Sequence, residues 1–384
     1  MKRKICVLTG SRSEYSILRP VLFSIKKHPS LQLSIIATGM HLSPQYGYTV
    51  SEIENDGFSI DAKVDMLIDS SKGIGMAKSV GIGIIGLSDA LETILPDIIV
   101  IAGDRIEPLA LVIAATYMNI PVAHIHGGDK SIGGHADDNV RHAITKMAHI
   151  HFAASEESGK RIIKLGEDPT KVFIVGAPAL DTILNESLSN KDVICEKYDL
   201  DPLKPILMVV QNPVTREAEF AADQMKETME AIVSTQQQTI IIYPNSDMGG
   251  RKMIEVINNY KECPFIKIIT NMPHVDYLSL MKVSSVMIGN SSSAIIEAPS
   301  FKLPVINIGS RQEGRQRADN VIDVPYNRTL IASAIKIAVS DENFLKKVKL
   351  CKSPYGNGTA SKKIVNILSD IELDENLLKK KITY

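Results

Sequence analysis

The chain of 384 residues has no excess charge of either sign: 43 Lys and Arg stand against 44 Asp and Glu, a net of −1. Without a basic surplus, non-specific binding to nucleic acid or to an acidic membrane surface has no electrostatic driving force. Any polyanionic ligand has to be met by a local cluster of positive groups. Cysteines are few and scattered (Cys6, Cys195, Cys263, Cys351) with no CxxC pair, the usage of reduced, mostly buried thiols in a cytoplasmic protein. Long apolar runs are missing too. Uninterrupted ones, such as Ile98–Ala102, are strand-sized, and the run behind the charged MKRK start is far too short for a signal peptide. The expectation is a soluble cytoplasmic protein with no membrane-spanning segment. No Walker GxxxxGK[ST] loop, GxSxG elbow, short repeat or low-complexity segment occurs. GIGIIG (81–86) fits GxGxxG but follows no clear strand, so it reads as glycines that let a helix pack closely, not as a dinucleotide fingerprint.

What is present is alternation. KICVLTG (4–10), LQLSIIATG (31–39), DIIVIAGD (97–104) and PVAHIHGGD (121–129) read as strands, with helices over 16–29 and 108–118. Runs such as IIVIA are apolar throughout, as strands covered on both faces should be. This repetition predicts a parallel, doubly wound α/β sheet. After the polar stretch 185–192 the pattern restarts, with strands at 205–212, 239–245, 265–270, 286–290 and 304–309 and helices at 221–234, 275–284 and 294–301. Two α/β domains of similar size are expected, 1–180 and 181–354, with the Lys-rich helical residues 355–384 returning to the first. Ligands of such sheets bind beyond the carboxyl ends of the strands, and a crevice between two facing domains is the expected site.

Four strand ends carry dense polar residues. TGSRSEYS (9–16) joins strand to helix through a Gly/Ser loop whose N–H groups can hold an anion, with Arg12 as countercharge. It reads equally as a capped helix start with a surface arginine. GDRIEP (103–108) puts Asp104 and Arg105 at a strand tip, where a charged pair after a buried run points to chemistry more than to a plain turn. Six of the nine histidines fall in 124–152, with Asp129, Asp137, Asp138 and Arg141. His124 and His126 alternate along a strand, so at most one looks into the site. Asp138, Arg141 and His142, three and four apart, share a helix face. A HxH strand end also fits a metal-dependent hydrolase, but no other histidine-bearing strand end is visible in this half except TGMHL, with His41. Acid/base work by a titratable cluster is the better reading. His149 and His151 read as structural residues flanking a strand. In VMIGNSSSAIIEAPS (286–300), Ser291, Ser292 and Ser293 stand at a helix N-terminus suited to a diphosphate, with Glu297 one turn on and close enough to accept from a ribose hydroxyl. Arg311, Arg315 and Arg317 follow in GSRQEGRQR. The plain alternative is an N-capped helix beside a solvated loop.

Taken in order, TGSRSEYS, TGMHL, GDRIEPLA, HIHGGD, DDNVRHAITKMAH, QNPVT, YPNSD, MIGNSSSAIIEAP and INIGSRQEGR resemble the hydrolysing UDP-N-acetylglucosamine 2-epimerases, including their UDP- or GDP-N,N'-diacetylbacillosamine branch, over nearly the whole chain. The resemblance implies a GT-B-like α/β fold of two Rossmann-type domains with the nucleotide sugar between them, no cofactor, and a homodimer or homotetramer. It implies nucleotide-sugar contacts from Arg12, Ser13, Ser16, His41, Arg105, Asn212, Asn245, Ser291, Ser292, Glu297 and Arg311, and chemistry from Asp104, His126, Asp129, Asp138 and Arg141. Two departures stand out. Many relatives carry a glutamate where His126 stands, which bears on the identity of an acid/base group. Many carry a histidine where Asn212 stands, which removes a cation from the phosphate side.

The reaction so implied removes the C2 proton as UDP leaves C1, then adds water across the glycal to release the C2-inverted free sugar for sialic or legionaminic acid synthesis. A C2–H is a poor acid, so the leaving diphosphate needs strong help, which Arg12, Arg311 and the Ser291 and Ser292 helix start can supply without a metal. Proton transfer falls to Asp104, His126, Asp129 and Asp138, since neighbouring carboxyls can be pushed apart in pKa. Three rivals use the same fold: a non-hydrolysing epimerase, a glycosyltransferase that needs an acceptor, and a nucleotide-sugar-binding protein without turnover. HIHGGD and DDNVRHAITK are more similar to the hydrolysing branch, and the intact acidic cluster favours turnover.

Overall fold

A computed structural model describes residues 2–44, 47–68, 73–130, 136–245, 249–270 and 272–383, those at 136, 137, 184, 185 and 215 by backbone alone. The chain divides into two compact units, one holding the residues up to Lys130, the segment up to Thr182 and those from Tyr355 onward, the other holding Ile183–Pro354.

The first unit is built on a parallel sheet of β1 (Arg3–Thr9), β2 (Leu31–Thr38), β3 (Ala62–Val64), β4 (Ile98–Ala102), β5 (Val122–Ile125), β6 (Ile150–Ala153) and β7 (Val172–Ile174), in the order β3-β2-β1-β4-β5-β6-β7. Alternate residues of each strand feed two cores. Ile5, Val7, Ile98 and Val100 pack with Leu18 and Leu22 on one face; Cys6, Leu8, Ile99 and Ile101 pack with Leu91 and Leu111 on the other. Each such fully buried aliphatic side chain is worth about 1.5–3 kcal/mol, which is why these strands are apolar throughout. The second unit repeats the plan with β8 (Leu207–Val210), β9 (Thr239–Ile242), β10 (Ile266–Ile269), β11 (Val286–Gly289), β12 (Val305–Ile308) and β13 (Val321–Val324), ordered β10-β9-β8-β11-β12-β13. In both sheets the strand order reverses once, between β1 and β4 and between β8 and β11. Connections on the two sides of that point leave to opposite faces and open a crevice beyond the carboxyl ends of the strands.

Several boundaries differ from the sequence reading for local reasons. The first helix runs Arg12–Lys27, four residues earlier than expected, because Ser11 caps it. The helix expected over 294–301 stops at Ile296 and gives way to a tight turn at Ala298–Phe301, where Pro299 lacks the N–H needed to continue. The helix Gly73–Ile94 corrects the expectation that no segment is membrane-length. Ile74–Ile94 is long and apolar enough by length and composition, although glycines and serines break every uninterrupted run, and 33% of it is buried. A Cβ at Gly83 would lie 2.7 Å from Met66 Cε and one at Gly86 2.7 Å from Val64 Cγ1, so these two glycines do serve close packing; Gly81 has nothing near it.

The C-terminal helix Ala360–Asp370 belongs to the first unit. Asp181 accepts from the Ala360 and Ser361 N–H groups (2.9 and 2.6 Å), and Arg3 donates to the Leu368 and Ser369 carbonyls (2.6 and 2.9 Å). All four cysteines are free.

Candidate active site

At the end of β1, Ser11 Oγ accepts from the Glu14 N–H (3.4 Å), and Glu14 reaches back to accept from the Gly10 N–H (2.7 Å). This is a reciprocal helix cap of the S-x-x-E kind, so the capped-helix reading of TGSRSEYS holds. Arg12 pairs with Glu52 at 3.0 Å, Ser13 Oγ lies 2.9 Å from Ser11 Oγ, and Ser16 Oγ donates to the Ser13 carbonyl at 2.8 Å. Arg105, after β4, pairs with the fully buried Glu107 at 3.2 Å. His41 is wholly buried, with Nε2 2.9 Å from Thr9 Oγ1 and Nδ1 2.8 Å from Thr49 Oγ1, and burial lowers its pKa to about 4. Both ring nitrogens are thus taken up by internal bonds to Thr9 and Thr49.

Glu14 is the unforeseen acid. Burial, and then the charge of Glu107, push its pKa up to about 8 against the opposing pull of Arg105. Between about 4.5 and about 8 the folded chain therefore keeps a proton that the unfolded chain has lost, so this group makes stability fall as pH rises through that window and level off above it. Glu14→Gln still accepts from Gly10 and is neutral throughout. It is expected to flatten the decline, gaining on the order of a few kcal/mol over the parent at pH 8 and little at pH 4.5. Urea unfolding at both pH values checks this; equal slopes for parent and variant would contradict it.

The densest cluster lies beyond β4 and β5. Buried His124 on β5 hydrogen-bonds the Gly103 carbonyl through Nε2 (2.7 Å), and burial lowers its pKa to about 3. It is a neutral brace for the turn that carries Asp104. β5 ends at Ile125, and His126 leaves it in the left-handed region (φ 65°). The sequence reading has His126 alternate with His124 along the strand; the turn governs it instead. It sets His126 Nδ1 3.0 Å from Asp129 Oδ2, with the His126 N–H held by the Phe152 carbonyl at 3.1 Å. A non-glycine residue in this region costs of order 1–3 kcal/mol, and such strain concentrates at functional sites.

The helix Ala136–Met147 places Asp138 and Arg141 one turn apart and 2.6 Å from each other. The buried Arg141 also donates to the Asp129 carbonyl at 2.9 Å and pairs with Asp104. One guanidinium thus gathers the end of β4, the turn after β5 and its own helix. Two carboxylates on one cation thus stand beside the His126–Asp129 pair. His149 Nδ1 accepts from the Val122 N–H at 3.2 Å, and His151, inside β6 and not beside it, bonds Glu167 at 3.0 Å. Both are structural. His135 and the Asp137 side chain lie outside the described residues. Among the described residues no group of three or more His, Cys, Asp or Glu could hold a metal ion.

In the second unit the strand ends at the reversal point are clasped by asparagines. The Asn212 N–H donates to Asn290 Oδ1 (2.7 Å), Asn290 Nδ2 donates to the Asn212 carbonyl (2.8 Å), and Asn212 Oδ1 accepts from the Asn245 N–H (2.9 Å). Asn212 therefore ties together the ends of β8, β9 and β11. Ser291 caps the short helix Ser292–Ile296, its Oγ accepting from the Ser293 N–H at 3.4 Å, and Ser293 Oγ meets the hydroxyl of the half-buried Tyr277. Glu297 follows, its pKa pushed up to about 7 by burial. Arg311 donates to the Asn290 carbonyl at 3.2 Å.

Asp104, His126, Asp129, Asp138 and Arg141 thus form one connected network, Arg12, Ser13 and Ser16 lie on the β1 helix cap, and Asn212, Asn245, Ser291, Ser292, Glu297 and Arg311 sit on the strand-end loops of the second sheet. Sequence reasoning missed Glu14, Glu107 and Ser158. The S-x-x-E spacing at 11–14 was signal enough for the first.

Two parallel α/β units, each with polar strand ends at its reversal point, make this a GT-B-like fold. A family model described as UDP-N-acetylglucosamine 2-epimerase matches residues 24–369. The chain is 40% identical over 380 residues to the UDP-N,N'-diacetylbacillosamine 2-epimerase (hydrolyzing) of Legionella pneumophila, covering 99% of each. It is 37% identical over 329 residues to the GDP/UDP-N,N'-diacetylbacillosamine 2-epimerase (hydrolyzing) of Campylobacter jejuni, covering 85% of each. The structure of UDP-GlcNAc 2-epimerase from Neisseria meningitidis bound to UDP-GlcNAc superposes with a TM-score of 0.81 at 19% identity, over 95% of this chain and 99% of that one. The chain belongs to the UDP-N-acetylglucosamine 2-epimerase family and groups there with the hydrolysing nucleotide-sugar 2-epimerases.

Proposed function

We propose that this protein converts a UDP-linked 2-acetamido sugar to UDP and the free C2-inverted sugar, by elimination to a 2-acetamidoglycal followed by rehydration. The single observation that carries the reading is the network beyond β4 and β5, in which Arg141 holds Asp104 and Asp138 beside the His126–Asp129 pair. Removing a proton from C2 on one side and returning one on the other needs two or more groups of opposite protonation state, and a buried cation shared by carboxylates keeps one ionised. Loss of the diphosphate needs positive charge and free N–H groups, for which the Ser291 and Ser292 helix start and Arg311 are suited. Arg12 is the corresponding cation at the helix start after β1. Glu297 is suited to accept from a ribose hydroxyl.

UDP-N,N'-diacetylbacillosamine is the favoured substrate, since the relative matched over 99% of both chains carries that name. UDP-N-acetylglucosamine and the GDP-linked sugar are the alternatives. The free sugar would feed sialic or legionaminic acid synthesis in the cytoplasm, by a homodimer or homotetramer. Parallel incubations with the three nucleotide sugars, read by chromatography for free nucleotide and free sugar, test the assignment. The highest kcat/KM is expected with UDP-N,N'-diacetylbacillosamine; a higher value for either other tube would reassign the sugar or the base, and nucleotide-sugar epimers without free sugar would overturn hydrolysis.

A further inference from the structure

Helix Glu156–Lys164, which the chemistry above leaves out, is pressed against the turn that carries His126 and Asp129. Gly128 (φ 72°) meets the first turn of this helix so closely that a Cβ there would fall on the Ser158 carbonyl and 2.7 Å from Ile162 Cγ1, and Arg161 donates to the Gly128 carbonyl. Ser155 caps the helix, accepting from the Ser158 N–H at 3.3 Å. From that first turn, Ser158 Oγ donates to Asp129 Oδ1 at 2.6 Å, while Asp129 Oδ2 lies 3.0 Å from His126 Nδ1. Ser158 is 2% exposed and His126 7%.

We infer that Ser158 is a positioning residue for the acid/base pair: it fixes the Asp129 carboxylate so that Asp129 holds His126 as the Nδ1–H tautomer and leaves Nε2 as the atom that takes up or gives a proton. The inference rests on the proposed role of His126. A carboxylate bonded through both oxygens cannot rotate about its Cβ–Cγ bond, and its placement beside a helix N-terminus favours its negative charge. The second oxygen is what makes the tautomer unique, because the partner of one imidazole nitrogen decides which nitrogen carries the proton. Without the Ser158 hydroxyl, the Asp129 carboxylate loses its anchor on this helix and can turn toward Arg141 or Arg161, which hold the Asp129 and Gly128 carbonyls, and the His126 bond is no longer enforced.

The test compares Ser158→Ala, Lys160→Gly and His126→Asn with the parent enzyme, by steady-state kinetics and by 1H–15N spectra of histidine-labelled protein. Asparagine is chosen for His126 because it tolerates the left-handed region. Ser158→Ala is expected to lower kcat by about ten-fold or more with KM within about two-fold, and to convert a single Nδ1–H signature of His126 into a tautomer mixture. Lys160→Gly weakens the same helix at an exposed position and keeps the Ser158 hydroxyl with its bonds to Ser155 and Asp129, so it should lower the melting temperature and leave kcat and the tautomer unchanged. Parent-like kcat and tautomer in Ser158→Ala would overturn the inference. So would a loss of kcat without a tautomer change, or an equal loss in Ser158→Ala and Lys160→Gly. If His126→Asn turns over like the parent, it is the role of His126 itself that fails.

Discussion

Asp104→Asn is expected to lower kcat by about 10²–10⁴-fold while leaving UDP affinity within about two-fold of the parent. Asparagine has the same shape and keeps an oxygen for the bond to Arg141, so the loop after β4, braced by His124 on the Gly103 carbonyl, should hold its place. What is lost is the ability to exchange a proton, together with one of the two carboxylates on Arg141. Calorimetric titration with UDP and a continuous assay of UDP release separate the two effects. Retained turnover would remove Asp104 from proton transfer; lost UDP binding would make it a nucleotide contact instead.

Gly128→Ala should be the most damaging single-methyl change in the first unit. A side chain at φ 72° is strained in any surroundings, and here its Cβ also meets backbone, the Ser158 carbonyl, so neither the turn nor the helix start can yield by a rotamer change. The strain and the displacement together are expected to cost about 2–4 kcal/mol in stability. Turnover should fall by about a hundred-fold or more even in the folded fraction, because His126 and Asp129 flank the residue that must move. Gly81→Ala is the control. It is exposed in the middle of the helix Gly73–Ile94 with nothing within 4 Å, so alanine should be neutral or raise stability by up to about 1 kcal/mol. Denaturant unfolding and kcat of the two variants check the contrast; a Gly128→Ala enzyme with parent-like stability and rate would contradict the geometry of the turn.

The strands that frame both reversal points were readable because burial on two faces demands runs such as IIVIA, and β1, β2, β4, β5 and β8 to β12 all carry that signature. β3 has three residues and β13 is half-exposed, so neither presents a run to detect. Of the helix Gly73–Ile94 only the close-packing glycines at 81–86 were legible, because Gly and Ile residues also occupy the side that Lys78, Asp89 and Glu92 mark as polar and blur its period. In the site, residue type and spacing were enough for Asp138 and Arg141, since three residues apart on a helix means contact. They were not enough for His126, whose direction depends on a left-handed turn that no strand period encodes. The surroundings of His41 were hidden as well. The sequence placed it among ligand contacts, and the two threonines that meet both its nitrogens were not legible there. Ser158 lies 29 residues from the carboxylate it holds, a link that exists only once β5 and β6 are paired.

The most direct test of the central claim is an NMR time course of the purified enzyme in D2O with UDP-N,N'-diacetylbacillosamine. The account predicts UDP together with free manno-type sugar carrying deuterium at C2, since the proton removed in the elimination exchanges before water adds across the glycal. Free sugar that retains its original C2 hydrogen and configuration would show simple hydrolysis without proton transfer at C2, and would contradict it.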